Sequence, residues 1–172
     1  MPGVPGLIGN DHIGITVPDL TIAHNFLCDV LGASFVFDGG VIEDQRVLTD
    51  VLNTTVTNTC RYSFYRLGTG LNLEVFEYKD KTGEMPCNSQ IGGHHIAIYV
   101  KNIGAAHKYF VGNGVAVSGE PELIQDGPAA GSSWFYFKTP WGLQMECVSY
   151  PNGKKYELNG GVKLWSPRAP NE

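Results

Sequence analysis

The chain has 172 residues, of which 42% are apolar and 17% charged, and a formal charge of −5 at neutral pH. That is one domain's worth of a soluble globular protein, long enough to bury a core without disulfides or a structural metal. The acidic balance and the lack of a Lys/Arg cluster exclude a nucleic-acid footprint, and no apolar stretch approaches the ~20 residues of a membrane span.

In chain order, residues 1–10 form a Pro/Gly leader with no signal-peptide pattern. His12–Val17 is a β-branched run and predicts a strand. Asp19 is placed as a helix N-cap; Leu20, Ala23, Phe26, Leu27, Val30 and Leu31 recur at helical spacing, and Gly32 stops the helix. Ser34–Asp38 predicts a second strand, Gly39-Gly40 begins a turn, and residues 41–59 give no clear pattern. Cys60–Leu67 and Leu71–Tyr78 predict two strands about the turn Gly68-Thr69-Gly70.

Residues 79–92 are polar and read as a linker. A strand over His95–Val100 follows, then Asn102 as N-cap, a helix through Phe110, and Gly112 and Gly114 as its stop. Val115–Ser118 and Pro121–Ile124 are short extended pieces, and Gly127–Gly131 is a flexible loop. Trp134–Lys138 and Leu143–Tyr150 predict a hairpin about Thr139-Pro140-Trp141-Gly142. The tail, 151–172, is expected to lie over the surface. Cys28, Cys60, Cys87 and Cys147 form no close zinc or redox pair and read as reduced thiols in a cytoplasmic protein.

The chain repeats itself. Asp11-His12-Ile13-Gly14-Ile15-Thr16-Val17 returns as His94-His95-Ile96-Ala97-Ile98-Tyr99-Val100, and Leu71-Asn72-Leu73-Glu74-Val75 returns as Leu143-Gln144-Met145-Glu146-Cys147. Each unit, 11–78 and 93–150, reads strand-helix-strand-strand-strand. The two histidines are 83 residues apart and the two glutamates 72, so the first unit carries 11 extra residues, expected between 39 and 59.

Alternation places Ile13, Ile15 and Val17 on one face, under the unit's own helix, and His12 on the other; the same holds for His95, Glu74 and Glu146. Two imidazoles and two carboxylates suit one divalent ion of intermediate hardness (Zn, Ni, Co, Mn or Fe) with positions left open for substrate oxygens. Tyr62, Asn72, Phe76, Tyr99, Trp134, Gln144 and Val148 share that face and read either as core or as substrate contacts. His24, His107, His94 and Glu77 read as structural, being on helices or on the opposite strand face.

With these motifs in this order, residues 11–150 resemble the vicinal oxygen chelate superfamily, which includes glyoxalase I, methylmalonyl-CoA epimerase, extradiol dioxygenases, fosfomycin-resistance enzymes and bleomycin-binding proteins. The resemblance implies an α+β fold of two βαβββ modules forming an eight-stranded, cup-shaped mixed sheet around a metal. It implies the glyoxalase I ligand set His12, Glu74, His95 and Glu146. The methylmalonyl epimerases carry Gln where this chain has Glu74, and the dioxygenases use two His and one Glu. The expected function is a metal-dependent isomerase, epimerase or lyase acting on a small carbonyl substrate, with Glu146, or else Glu74, moving the proton. The alternatives are an Fe(II) ring-cleaving dioxygenase and a protein that sequesters a small molecule. A homodimer is the expected assembly.

Overall fold

The computed structural model describes residues 4–55, 58–81 and 83–170; parts of the leader (1–3), the polar stretch (56–57), the linker (82) and the tail (171–172) lie outside them. The chain divides into two compact units, 1–82 and 83–172. Each contains one four-stranded mixed sheet and a helix.

The first unit runs β1 (Ile13–Thr16), α1 (Leu20–Asn25), β2 (Ser34–Ile42), β3 (Cys60–Leu67) and β4 (Leu71–Tyr78). The sheet order is β1-β4-β3-β2, with β1 parallel to β4 and the other pairs antiparallel. The start of α1 is tied twice. The Asp19 carboxylate accepts from the Thr21 and Ile22 amides at 2.7 and 2.9 Å, and Glu77 of β4 accepts from the Leu20 amide at 3.0 Å. Leu20, Ala23, Phe26 and Leu27 are buried, as are Tyr65, Leu73 and Val75 of the sheet. The sequence predicts one continuous helix here. Instead α1 passes into a π-helical turn, Phe26–Val30, closed by the Leu31 amide on the Phe26 carbonyl at 3.0 Å, before Gly32 ends it at φ 71°.

Strand β2 departs further from expectation, because it runs on through Gly39-Gly40 to Ile42. The reason is tertiary. The Tyr62 ring of β3 lies across Gly39, where a Cβ would stand only 2.1 Å from it, so the glycine lets the strand pass beneath the ring. Gly40 (φ 80°) then bulges the strand, with its amide on the Asp38 carboxylate at 2.8 Å. The surplus of this unit includes a helical turn at 45–46 and a π-helical turn, Val47–Val51, that buries Leu48.

The second unit runs β5 (Ile96–Tyr99), α2 (Ile103–Gly112), β6 (Ala116–Leu123), β7 (Ser133–Lys138) and β8 (Gln144–Ser149), in the order β5-β8-β7-β6 with β5 parallel to β8. Asn102 caps α2 by accepting from the Ala105 amide at 2.9 Å. The two short extended pieces are one strand, β6, whose register breaks between Ser118 and Glu122, where Gly119 has φ 77°. Phe110 of α2 stacks on Phe137 at 4.4 Å and meets Phe135 edge-on at 6.0 Å. Each such ring pair adds roughly 0.5–1.5 kcal/mol beyond the burial of its area. Met145 and Cys147 complete the helix side of this sheet. Among the described residues no helix is long and apolar enough to cross a membrane.

Two outcomes follow from this packing. Gly39→Ala must displace the Tyr62 ring or the strand, and is expected to cost about 1–3 kcal/mol in urea unfolding; a change below about 0.3 kcal/mol contradicts the described contact. The four thiols are free. Burial pushes the Cys28 and Cys60 thiols up and Cys147 up to about 12, whereas the Ser89 hydroxyl, 3.1 Å from the exposed Cys87 sulfur, lowers that thiol. A lowered thiol is more ionised at any given pH, so iodoacetamide at mild alkaline pH should modify Cys87 first and the others only on unfolding, as peptide mapping will read.

Candidate metal centre

In the first unit, parallel pairing sets Gly14 of β1 opposite Glu74 of β4. His12, two residues earlier, projects from the same face and brings its Nε2 to 3.1 Å from Glu74 Oε2. In the second unit, Ala97 stands opposite Glu146, and His95 Nε2 lies 3.1 Å from Glu146 Oε2. Glycine and alanine at the intervening position leave the approach open. The exposures also agree: 37% and 36% for the histidine side chains, 20% and 16% for the glutamates.

An aromatic ring steadies each imidazole. Phe64 of β3 is paired with Glu74 and meets the His12 ring edge-on at 5.5 Å. Tyr136 of β7 is paired with Glu146 and meets His95 edge-on at 5.2 Å. Neither ring stands out in the sequence by its own pattern alone. The signal was present: each stands ten residues before its unit's glutamate and alternates with Tyr62 or Trp134.

The two pairs differ behind the histidine. Asp11 Oδ2 lies 2.7 Å from His12 Nδ1, and this contact, more than the nearby Glu74, raises the His12 pKa. A carboxylate on the far ring nitrogen is the usual support of a metal-bound histidine. His94, which repeats Asp11, instead turns its Nδ1 to the Gly92 carbonyl at 3.1 Å. Burial pushes the Glu146 carboxyl up, with His95 and Lys154 pulling it partly back.

The donor spacing fits a metal. Ligand atoms at about 2.1 Å from one ion, in neighbouring positions at right angles, stand about 3.0 Å apart. The two observed separations of 3.1 Å are close to that value. Among the described residues no group of three or more His, Cys, Asp or Glu side chains forms a metal cluster; each unit supplies a pair.

The other expected site residues are placed as follows. Tyr62 stacks on Phe76 at 5.7 Å, and Trp134 meets Tyr136 edge-on at 5.1 Å. Tyr99 meets Tyr150 edge-on at 4.9 Å. Asn72 donates its amide to the Asp11 carbonyl at 2.9 Å, which tethers the segment that carries His12. Gln144 holds the equivalent register in β8, opposite Lys138. His24 lies 3.2 Å from the Tyr65 hydroxyl and His107 3.0 Å from the Gly119 carbonyl, both within the helix–sheet packing.

Comparison with known proteins agrees with this architecture. The model of the glyoxalase/bleomycin resistance protein/dioxygenase superfamily matches residues 11–137. A 2-epi-5-epi-valiolone epimerase from Actinomyces sp. is 41% identical over 170 residues, covering 96% of this chain and 92% of the relative. Among solved structures, a glyoxalase family protein from Bacillus cereus superposes with a TM-score of 0.69 at 14% identity, over 87% of this chain and 98% of that one. The fosfomycin resistance protein FosX from Listeria monocytogenes, solved with Mn(II) and sulfate, superposes with a TM-score of 0.53 at 16% identity, over 83% and 93%. With two βαβββ units and a family match over most of its length, the chain belongs to the glyoxalase/bleomycin resistance protein/dioxygenase superfamily.

Proposed function

We propose that this protein is a divalent-metal-dependent epimerase acting on a small hydroxylated ketone, with His12, Glu74, His95 and Glu146 as the ligands of one ion. The observation that carries the reading is the His–Glu pair, built twice with the same 3.1 Å separation on the same register of a parallel strand pair. The identity with the Actinomyces epimerase supports epimerisation within the broader set of isomerases and lyases. Zn, Ni, Co, Mn and Fe all suit two imidazoles and two carboxylates.

A bound ion supplies Lewis acidity to the substrate carbonyl and so acidifies the proton on the adjacent carbon. The chain's own task is to move that proton. Glu146 takes it from one face of the carbon, and Glu74, carrying a proton drawn from solvent, returns one to the other face and inverts the centre; in the alternative the two glutamates exchange roles. The Phe64 and Tyr136 rings hold the imidazoles in orientation, and the aromatic side chains on the same sheet faces limit water around the reacting carbon. A ring-cleaving dioxygenase needs two histidines and one carboxylate; the equal placement of both glutamates supports the four-ligand reading instead. The reading includes a cytoplasmic homodimer. The exposed Phe35, Val36, Phe37 and Val41 on edge strand β2 support self-association, and the four free thiols support a reducing compartment.

Elemental analysis of the purified protein should find one divalent ion per chain. His95→Ala is expected to lose it, whereas His94→Ala, which removes a ring turned to the Gly92 carbonyl, should keep it; equal loss in both refutes the register. With 2-epi-5-epi-valiolone in deuterium oxide, the wild type should wash label into the carbon beside the carbonyl. Glu146→Gln should cut that exchange by about 10²–10⁴-fold while retaining metal at reduced affinity. Oxygen uptake that matches turnover, without carbon-bound deuterium, assigns the protein to the dioxygenases.

A further inference from the structure

The tail of the second unit does more than cover surface. It folds onto the sheet face that carries His95 and Glu146 and encloses a cleft of about 260 Å³ there. Ala97, Tyr99 and Val148 form the floor; Lys154, Tyr156 and Trp165 are among the walls. Ala97 is the residue paired with Glu146, so the cleft begins beside the His–Glu pair. Its volume falls below the ~300–1,000 Å³ of drug-sized sites, which fits a small ligand.

The wall is built rather than draped. The Lys155 and Tyr156 amides donate to the carbonyls of Ala130 and Pro128, both at 2.9 Å. The Leu164 amide donates to the Tyr156 hydroxyl at 3.1 Å, and the Tyr150 hydroxyl lies 3.3 Å from Ser166 Oγ. Arg168 pairs with Glu157 at 3.4 Å. Gly131 (φ 93°) allows the close approach, since a Cβ there would stand 3.0 Å from the Gly153 carbonyl oxygen.

The lining combines aromatic surface with the polar side chains of Lys154, Glu157 and Ser166. Glu157 of the lining is paired with Arg168, and the Lys154 ammonium lies 4.5 Å from the centre of the Tyr150 ring; among the described residues of the lining, Lys154 is the cation, and it keeps spare hydrogen-bond donors. Aromatic walls receive the carbon face of a hydroxylated ring, and the Lys154 ammonium donates to its hydroxyls. An anionic ligand would call for a cluster of unpaired cations. We propose that this cleft binds the hydroxylated part of the substrate remote from the reacting carbon, with Lys154 and Trp165 as specificity-determining residues. The proposal rests on the epimerase reading for its link to turnover but not for the binding itself.

The test separates the two. The full chain, stripped of metal with EDTA, is titrated with myo-inositol, a hydroxylated ring that lacks a carbonyl and cannot react. The indole resonance of Trp165, assigned with Trp165→Phe, should shift and saturate, and Lys154→Met should weaken binding about tenfold. In the metal-loaded enzyme, Trp165→Ala and Lys154→Met should raise KM about tenfold at unchanged metal content, and Trp165→Phe should restore most of the loss. An indole that does not move with inositol, a KM unchanged in both variants, or a stronger response to inorganic phosphate than to inositol overturns the proposal. Inositol binding in a wild type that shows no turnover instead overturns the epimerase reading and leaves the cleft standing.

Discussion

The structure depends on one pairing: the first strand of each unit runs parallel to the last. A parallel pair cannot be closed by a tight turn, so the chain must cross over, and the helix that does so covers one face of the sheet. The other face carries the His–Glu pairs together with aromatic side chains. The same pairing puts residue 14 opposite Glu74 and residue 97 opposite Glu146, and the histidine two places upstream is delivered to its carboxylate without any loop having to position it. The glutamates sit on strands in fixed register, and each histidine stands one residue before its strand, so the geometry is held more tightly than on a free loop.

A mostly covered carboxylate beside an imidazole is unfavourable unless a proton or a cation lies between them. The protein makes this arrangement twice and supports it from behind, with Asp11 on His12 and an aromatic ring on each histidine. Such support has little to offer a surface ion pair, which is worth about 0–1 kcal/mol. It suits donors whose positions must not drift.

Much of this was legible in the sequence because the chain states its unit twice. Strands β3 and β4 match the expected ranges, the N-caps Asp19 and Asn102 stand where their side-chain chemistry placed them, and simple alternation assigns both His–Glu pairs to the helix-free faces. What was not legible depends on distant contacts. Gly39-Gly40 reads as a turn until the Tyr62 ring is placed over it. The π-helical turns have no local signature, because a five-residue hydrogen-bond step differs from an α-helix only in closure. Phe64 and Tyr136 needed cross-strand register, and the tail's seat depends on backbone groups of the 127–131 loop some twenty-five residues earlier.

The tail belongs to the second unit alone, and this makes the surroundings of the two His–Glu pairs unequal. Each of the two βαβββ units offers a carboxylate beside an imidazole. The two pairs differ behind the histidine, where Asp11 supports His12 while His94 turns to the Gly92 carbonyl. The wall formed by Tyr156 and Trp165 stands with Ala97 and Val148 of this sheet around the cleft and has no sequence counterpart after β4, where the chain passes directly into the linker. One half of a doubled protein thereby gains a walled cleft on the sheet face that carries its His–Glu pair.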